Sequence, residues 1–153
     1  NRKSMEKLFK SANLEFHPLI TCKAYVYLWK DHPLAKEPYL TLEQLEHYPC
    51  LSFEQGGNNS FYFAEEVLSN LEYKQTIKAD DRATMLNLMT GLNGYTLCSG
   101  IICEELNGDG YTAVPFAAEE TMTIGYLKRK GIPLSHLGSR YIEILKQYEK
   151  HCK

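Results

Sequence analysis

Residues Ala24–Ala35 read AYVYLWKDHPLA, an apolar run followed by a polar turn. The run from Tyr25 to Trp29 is rich in aromatic and β-branched side chains, which strands favour. The turn that follows carries Pro33, a residue that fixes its own backbone angle and ends a strand. This stretch therefore predicts a strand that stops sharply at a turn.

The residues before this strand predict a helix and then another strand. Leu14-Glu15-Phe16 is short and apolar at both ends, as in a strand. Apolar residues recur at i, i+3, i+4 and i+7, a spacing that predicts an amphipathic helix. These residues are Met5, Leu8, Phe9 and Ala12. We expect this helix to end at Asn13.

The middle of the chain alternates between predicted strands and predicted helices. Thr41-Leu42-Glu43-Gln44 is a capping box that opens a short helix. The strands are predicted at Cys50–Phe53, Tyr73–Ala79 and Tyr95–Cys98, and the helices at Phe61–Leu71 and from Asp80 or Asp81 to about Thr90. This alternation predicts a small parallel sheet with crossover helices, an α/β arrangement.

The last third of the chain predicts two more strands and a closing helix. The strands are Ala113–Phe116 and Thr121–Leu127, antiparallel if they pair. Gly131-Ile132-Pro133 breaks the chain. A final helix is predicted from about Ser139 to Lys150, burying Tyr141, Ile142, Leu145 and Tyr148.

Composition excludes several functional classes. The chain has 153 residues, 44% of them hydrophobic, and a formal net charge of −2. A chain so close to neutral lacks the positive charge of a stand-alone DNA-binding module. It also lacks the roughly 18 consecutive apolar residues of a membrane-spanning helix. The five cysteines are odd in number and form no C-x-x-C pair, so we expect reduced thiols.

Catalytic and metal-binding motifs are absent from the sequence. There is no G-x-S-x-G, Walker-type loop, H-E-x-x-H or G-x-G-x-x-G. None of the five histidines pairs with another His, Cys or carboxylate at a metal-like helical spacing. We expect no enzyme activity, no metal and no cofactor.

Two polar segments follow predicted strands and precede predicted helices, the place where ligands bind in open parallel sheets. The first is the loop Gln55–Ser60, whose glycines and free N–H groups favour an anion; the alternative is a long turn in which Ser60 or Asn59 caps the next helix. The second contains Arg82, which could hold an anion through its guanidinium; the alternative is a capped helix with a solvated arginine. We expect both segments to lie at one edge of the sheet. The predicted ligand-binding residues are Gln55, Gly56, Asn58, Asn59, Ser60, Arg82 and Thr84.

Several of these stretches together resemble the effector domain of LysR-type transcriptional regulators. Ala24–Ala35 resembles the family's crossover strand and its His-Pro-Leu-Ala turn, and Thr41–Cys50 resembles the capped turn before the first strand of the second lobe. Leu88–Tyr95 is similar to the family's helix end, with Gly94 at the final glycine and Leu92 where another glycine is common. The tail from Val114 through the closing helix resembles the return to the first lobe. The motifs keep the family's order over nearly the whole chain.

The resemblance implies an α/β, periplasmic-binding-protein-like fold with two lobes. Residues 1–34 would form the end of the first lobe and a crossover strand, residues 35–110 a complete second lobe, and residues 111–153 a return segment with a C-terminal helix. The opening strands of the first lobe and the family's helix-turn-helix domain have no counterpart here. We therefore expect part of a longer regulator.

The resemblance also implies a function. The chain would sense a small anionic or zwitterionic metabolite held between the lobes, in a cytoplasmic regulator that contacts DNA only through the missing helix-turn-helix domain. We further expect a homo-oligomer, because missing strands would leave apolar faces bare at Tyr25, Tyr27, Trp29 and Val114. Two alternatives are a solute-binding protein of the same architecture and, with less support, a small α/β enzyme using the Gln55–Ser60 loop. The lack of a visible signal peptide argues against the solute-binding protein. The lack of a general-base motif argues against the enzyme.

Overall fold

A computed structural model describes residues 2–54, 73–119 and 121–147. Its helices are α1 Arg2–Ser11, α2 Leu42–Leu45, α3 Arg82–Gly91, α4 Glu104–Asn107 and α5 His136–Lys146. Its strands are β1 Leu14–Lys23, β2 Tyr25–Trp29, β3 Cys50–Phe53, β4 Thr76–Ala79, β5 Thr96–Cys98, β6 Tyr111–Pro115 and β7 Thr121–Arg129. The chain divides into two compact units, residues 1–22 with 121–153, and residues 23–120.

The unit of residues 23–120 contains a mixed sheet. Strands β3 and β4 are parallel, with Phe53 opposite Ala79. Tyr95, just before β5, joins β3 through a parallel bridge to Cys50. β5 and β6 then flank β2 on either side, both antiparallel to it. The parallel arrangement predicted for the three middle strands is confirmed.

Helix α3 packs on one face of this sheet. Met85 and Met89 on α3 form a buried cluster with Leu51 of β3, and Tyr27 and Phe53 pack against that cluster. The opposite face buries the alternate residues of the strands. These are Val26, Leu28, Cys50, Tyr95, Leu97 and Val114. Burial on both faces matches the near-continuous apolar runs that parallel strands show.

Local capping signals in the sequence are confirmed. The Thr41 side chain accepts the backbone N–H of Gln44, and the Gln44 side chain accepts the N–H of Thr41 at 2.9 Å, which completes the capping box. Asp81, one of the two predicted caps, accepts the N–H of Thr84 at the start of α3. Asn13 ends α1 with a positive φ of 55°, a conformation that asparagine tolerates better than most residues.

The other unit contains α1, β1, β7 and α5. Lys130, just after β7, donates its N–H to the carbonyl of Asn13, just before β1, at 3.0 Å, so the two strands run in opposite directions. Lys128 on β7 bonds to the carboxylate of Glu15 on β1 at 2.7 Å and holds the pKa of Glu15 below its usual value. β1 is longer than the predicted Leu14–Phe16, since it continues through Pro18 to Lys23.

The sequence left open whether the last two strands pair; β6 pairs with β2 and β7 with β1, so they do not pair with each other. Two expectations about the tail and the apolar faces are corrected. Tyr141 is not buried, since 62% of it is exposed, while Ile142 and Leu145 are half-buried. Val114 is only 3% exposed, and Tyr25, Tyr27 and Trp29 lie in the central strand of three. The predicted bare faces and open edge are therefore not found at these residues, because both edges of β2 are paired and its aromatic side chains are half-buried.

The predicted helix Phe61–Leu71 and residue Tyr148 lie outside the described residues. Across the part that is described, no helix is both long enough and apolar enough to cross a membrane.

Candidate functional site

The carboxyl ends of three strands meet at one edge of the sheet in the unit of residues 23–120. Glu54, the residue after β3, donates its N–H to the carbonyl of Ala79 at the end of β4, at 2.8 Å. Tyr95, just before β5, and Cys50, at the start of β3, form a parallel bridge. Cys98 and Phe53 are each three residues past this bridge, so they lie at the same level. We call this place the strand-end edge: Phe53–Glu54, Ala79–Arg82 and Cys98–Gly100. Ligands bind at such edges in open α/β sheets.

Arg82 supplies a cation at the strand-end edge. It is the first residue of α3, directly after the Asp81 cap. Its guanidinium carbon lies 5.3 Å from the centre of the Phe53 ring, a cation–π arrangement that orients the flat guanidinium over the ring. The structure thus places this predicted residue where the sequence pattern expected it, at the end of β4 and beside the end of β3.

Thr84 has a structural contact that the sequence analysis did not assign to it. Its backbone N–H donates to a carboxylate oxygen of Asp81 at 2.7 Å. Hydrogen bonds from the backbone and the side chain of Thr84 hold the pKa of Asp81 below its usual value. Thr84 thereby completes the cap of α3 and keeps the Asp81 carboxylate ionised beside Arg82.

The other five predicted ligand-binding residues lie outside the described residues. They are Gln55, Gly56, Asn58, Asn59 and Ser60. Their participation in a site stays a prediction.

Cys98 and Gly100 extend the strand-end edge, and the sequence analysis missed both. The Cys98 sulfur accepts the N–H of Gly100 at 3.3 Å. Gly100 has a φ of +78°, and a β-carbon there would lie 2.6 Å from the ring of Tyr25. Tyr25 pairs with Cys98 across β2 and β5. The sequence signal that could have indicated this part of the edge is Gly100, a glycine that directly follows a predicted strand.

Tyr27 brings an unpaired hydroxyl to the α3 side of the sheet. Its oxygen is buried and has no hydrogen-bond partner among the described residues. Burial, helped by the nearby Tyr111 and Cys98, raises the pKa of Tyr27 to about 12. Its ring stacks on that of Tyr111 with centroids 5.5 Å apart. The hydroxyl therefore stays neutral and available as a donor.

The strand-end edge combines a thiol with charged side chains. Burial raises the pKa of the Cys98 thiol to about 11, so the thiol is protonated at neutral pH and is a poor nucleophile. Within residues 2–54, 73–119 and 121–147, no three His, Cys, Asp or Glu side chains are grouped to hold a metal ion. Arg82 supplies a cation at this edge, alongside the carboxylates of Glu54, Asp80 and Asp81.

A separate open cavity of about 790 Å³ lies in the other unit, between α1 and β1. Its lining is mostly apolar and includes Phe9, Leu14, Phe16 and Pro18. The sequence analysis did not predict this cavity.

Comparison with known proteins identifies the family. A model of the LysR substrate binding domain matches residues 5–150, so the chain belongs to that family. The α/β, periplasmic-binding-protein-like fold that the sequence resemblance implied is confirmed. No curated protein sequence matches the chain.

Solved structures of LysR-family proteins have a similar fold. HinK of Pseudomonas aeruginosa is 13% identical with a TM-score of 0.64, over 97% of this chain and 58% of that chain. The PA01 protein of Pseudomonas aeruginosa, assigned to the same family of regulators, is 15% identical with a TM-score of 0.62, over 89% of this chain and 48% of that chain. The effector-binding domain of QuiR, solved with shikimate, is 16% identical with a TM-score of 0.57, over 97% of this chain and 78% of that chain. The chain thus spans about half the length of the first two proteins.

Proposed function

We propose that this LysR substrate binding domain senses a small anionic or zwitterionic metabolite, bound at the strand-end edge through Arg82. The observation that carries the proposal is the position of Arg82, held over Phe53 where three strands end. An arginine so oriented can donate two parallel hydrogen bonds to one carboxylate.

Two carboxylates near Arg82 already have polar contacts of their own. Asp81 accepts hydrogen bonds from Thr84 and caps the helix, and it stays ionised there. Lys78 lies 3.9 Å from the Glu54 carboxylate at the same edge and offsets that second negative charge. Shikimate, the molecule bound in the QuiR structure, is a small carboxylate of the class we propose.

The predicted loop residues belong to the same proposal. Gln55, Gly56, Asn58, Asn59 and Ser60 follow Glu54 directly in the sequence, and we propose that they contribute to binding at this edge. In the proposed lobe assignment, residues 35–110 form the second lobe, and residues 1–34 and 111–153 belong to the first lobe and its connections. Closure of the first lobe over the ligand stays a prediction.

We propose that ligand binding controls transcription in the intact regulator. A ligand can shift the balance between two domain arrangements only by binding one of them more tightly. The regulator would be cytoplasmic and oligomeric, and would contact DNA through a separate helix-turn-helix domain. The domain itself would not be an enzyme and would need no cofactor.

Calorimetric titration tests the proposal, with shikimate as first ligand and a panel of small carboxylates and their neutral amides as the comparison. We expect a carboxylate to bind and its amide to bind at least about tenfold more weakly, because a neutral group forfeits the charge-assisted pair. R82Q should lose this preference, and R82K should recover it in part because the lysine keeps the charge without the planar fork.

The matched control is R140Q, which removes an exposed arginine of α5 in the other unit. It should bind like the wild type. Equal affinity of the wild type and R82Q for every carboxylate that binds would refute the role of Arg82.

A further inference from the structure

The charges of this chain are separated between its two units. Residues 1–22 and 121–153 contain 11 lysines and arginines but only 4 aspartates and glutamates, a formal charge of +7. Residues 23–120 contain the other 6 basic and 15 acidic residues, a formal charge of −9. The net charge of −2 is therefore the sum of one strongly basic unit and one strongly acidic unit. A charge asymmetry of this kind indicates a polyanionic partner for the basic part.

Four of the basic residues come together at one end of the basic unit. Lys7 and Lys10 lie in the last two turns of α1, while Arg129 ends β7 and Lys130 follows it. Asn13 joins the two segments, since it donates its N–H to the carbonyl of Lys10 at 3.2 Å and accepts the N–H of Lys130 at 3.0 Å. We call Lys7, Lys10, Arg129 and Lys130 the basic end.

The side chains of the basic end are exposed, and none of them forms an ion pair with a described residue. The described carboxylates of this unit have other contacts. Glu15 pairs with Lys128, Glu143 pairs with Arg140, and Glu6 on α1 has an interaction of its own. The positive charges of the basic end are therefore available to another molecule.

We propose that the basic end binds the phosphate backbone of duplex DNA. A duplex carries one negative charge per roughly 1.7 Å of its axis, so several phosphates come within reach of closely spaced cations. Lysine and arginine contact phosphates without reading bases, so this binding is independent of sequence. Four contacts give weak binding, so the basic end supplements a DNA-binding domain and does not replace one. The inference is independent of the proposed ligand site, which lies in the other unit.

Two other anionic partners fit the basic end less well. One is the acidic unit of a second copy, in which Glu46 and Glu54 already pair with lysines of their own unit. The other is a lipid surface, which binds a helix through apolar side chains that insert beside the cations. Phe9, the aromatic residue of α1, instead stacks on Phe16 of β1 with the ring centroids 6.4 Å apart.

Fluorescence anisotropy of a short labelled duplex tests the proposal, with the full chain titrated in at several KCl concentrations. We expect the binding constant to fall as salt rises, with a slope of about −3 to −4 on logarithmic axes, because each of four neutralised phosphates contributes about −0.9. Two duplexes of unrelated sequence should bind equally well.

Variants of the basic end test which residues make the contact. K10Q/K130Q removes one lysine from each segment, and it should bind at least about tenfold more weakly and reduce the slope by about 2. K10R/K130R keeps both charges and should bind like the wild type. The matched control is K30Q/K36Q, which removes two exposed lysines from the acidic unit and changes the net charge equally. It should keep the wild-type slope. Circular dichroism checks that the fold of each variant is unchanged.

Four results would overturn the proposal. The first is no binding of either duplex at about 0.01 M KCl, where exposed charges are little screened. The second is K10Q/K130Q binding no more weakly than K30Q/K36Q, which would mean that overall charge alone is responsible. The third is tighter binding to phosphatidylglycerol vesicles than to the duplex at the same KCl concentration, which would assign the basic end to a lipid surface. The fourth is self-association without DNA that K10Q/K130Q abolishes, which would assign the basic end to a second copy.

Discussion

His32 and Asn93 join two distant turns through one buried hydrogen bond. The Nε2 atom of His32 lies 3.0 Å from the backbone carbonyl oxygen of Asn93. The Nδ1 atom accepts the N–H of Leu34 at 3.0 Å, so the ring proton resides on Nε2, which donates to the carbonyl. Trp29 donates its indole N–H to the side chain of the same Asn93 at 2.8 Å. The turn after β2 is thereby fixed to the turn between α3 and β5.

The protein should lose stability as the pH falls below about 6.5, the ordinary pKa of histidine. His32 is 3% exposed, and burial lowers its pKa in the folded state. Between the unfolded and the folded pKa, the unfolded chain binds a proton that the folded chain does not, so the free energy of unfolding falls as the pH falls. Urea unfolding at several pH values measures this slope.

H32Q should flatten the slope between pH 7 and pH 5.5, because glutamine does not titrate. H47Q is the control, since His47 is exposed, and it should keep the wild-type slope. An H32Q slope as steep as that of the wild type would assign the pH dependence to other groups.

Local signals in the sequence predicted much of the fold, and long-range pairing limited the rest. The capping box at Thr41 and the cap at Asp81 depend on residues three positions apart, so they are readable from the sequence. The pairing of Tyr25 with Cys98 is not, because strand register is set by contacts between distant segments. For the same reason β6 and β7, neighbours in sequence, belong to different sheets.

The candidate site divides in the same way. Arg82 could be predicted because a strand end followed by a helix cap is a local pattern. The position of its guanidinium over the Phe53 ring and the place of Cys98 at the same edge depend on the order of the strands in the sheet. No local sequence pattern specifies that order. Tyr141 was predicted to be buried because periodicity marks an apolar face without saying whether anything covers it.

Replacing Tyr27 with phenylalanine should leave stability unchanged or raise it by about 1 kcal/mol. The change removes a buried hydroxyl that has no partner among the described residues, and such a group costs about 1–3 kcal/mol of desolvation. The matched variant is Y111F on the ring stacked against it. Tyr111 donates its hydroxyl to the carbonyl of Leu86 at 3.3 Å, so Y111F should lose about 0.5–1.5 kcal/mol. Urea denaturation of both variants compares them; a larger loss in Y27F than in Y111F would show that the Tyr27 hydroxyl has a partner.

Replacing Gly125 with alanine should destabilise the unit of α1, β1, β7 and α5 by about 1–3 kcal/mol. A β-carbon at residue 125 would collide with the backbone carbonyl of His17 and with the ring of Phe16. The carbonyl belongs to β1 and cannot move without disturbing the strand pair.

Gly91 gives the comparison, because nothing lies within 4 Å of a β-carbon there and it ends α3. G91A should be neutral or slightly stabilising, since alanine favours helices. Thermal unfolding by circular dichroism ranks the two, and a G125A melting temperature at or above that of G91A would contradict the close approach.

Cysteine alkylation in the folded protein should modify Cys103 well before Cys98. Cys103 is exposed, whereas Cys98 is half-buried and burial raises its pKa to about 11. At pH 8 a thiol with that pKa is ionised in roughly one molecule in a thousand, and the thiolate is the form that reacts with iodoacetamide. Cys22 and Cys50 are buried and should also react slowly.

Peptide mass mapping at successive times gives the rate at each position, and unfolding in urea should bring Cys98 to the rate of Cys103. C103S serves as the control, because it should remove the early signal and leave the slow modification of Cys98 unchanged. Modification of Cys98 as early as Cys103 in the native protein would mean that the end of β5 opens to solvent at the strand-end edge.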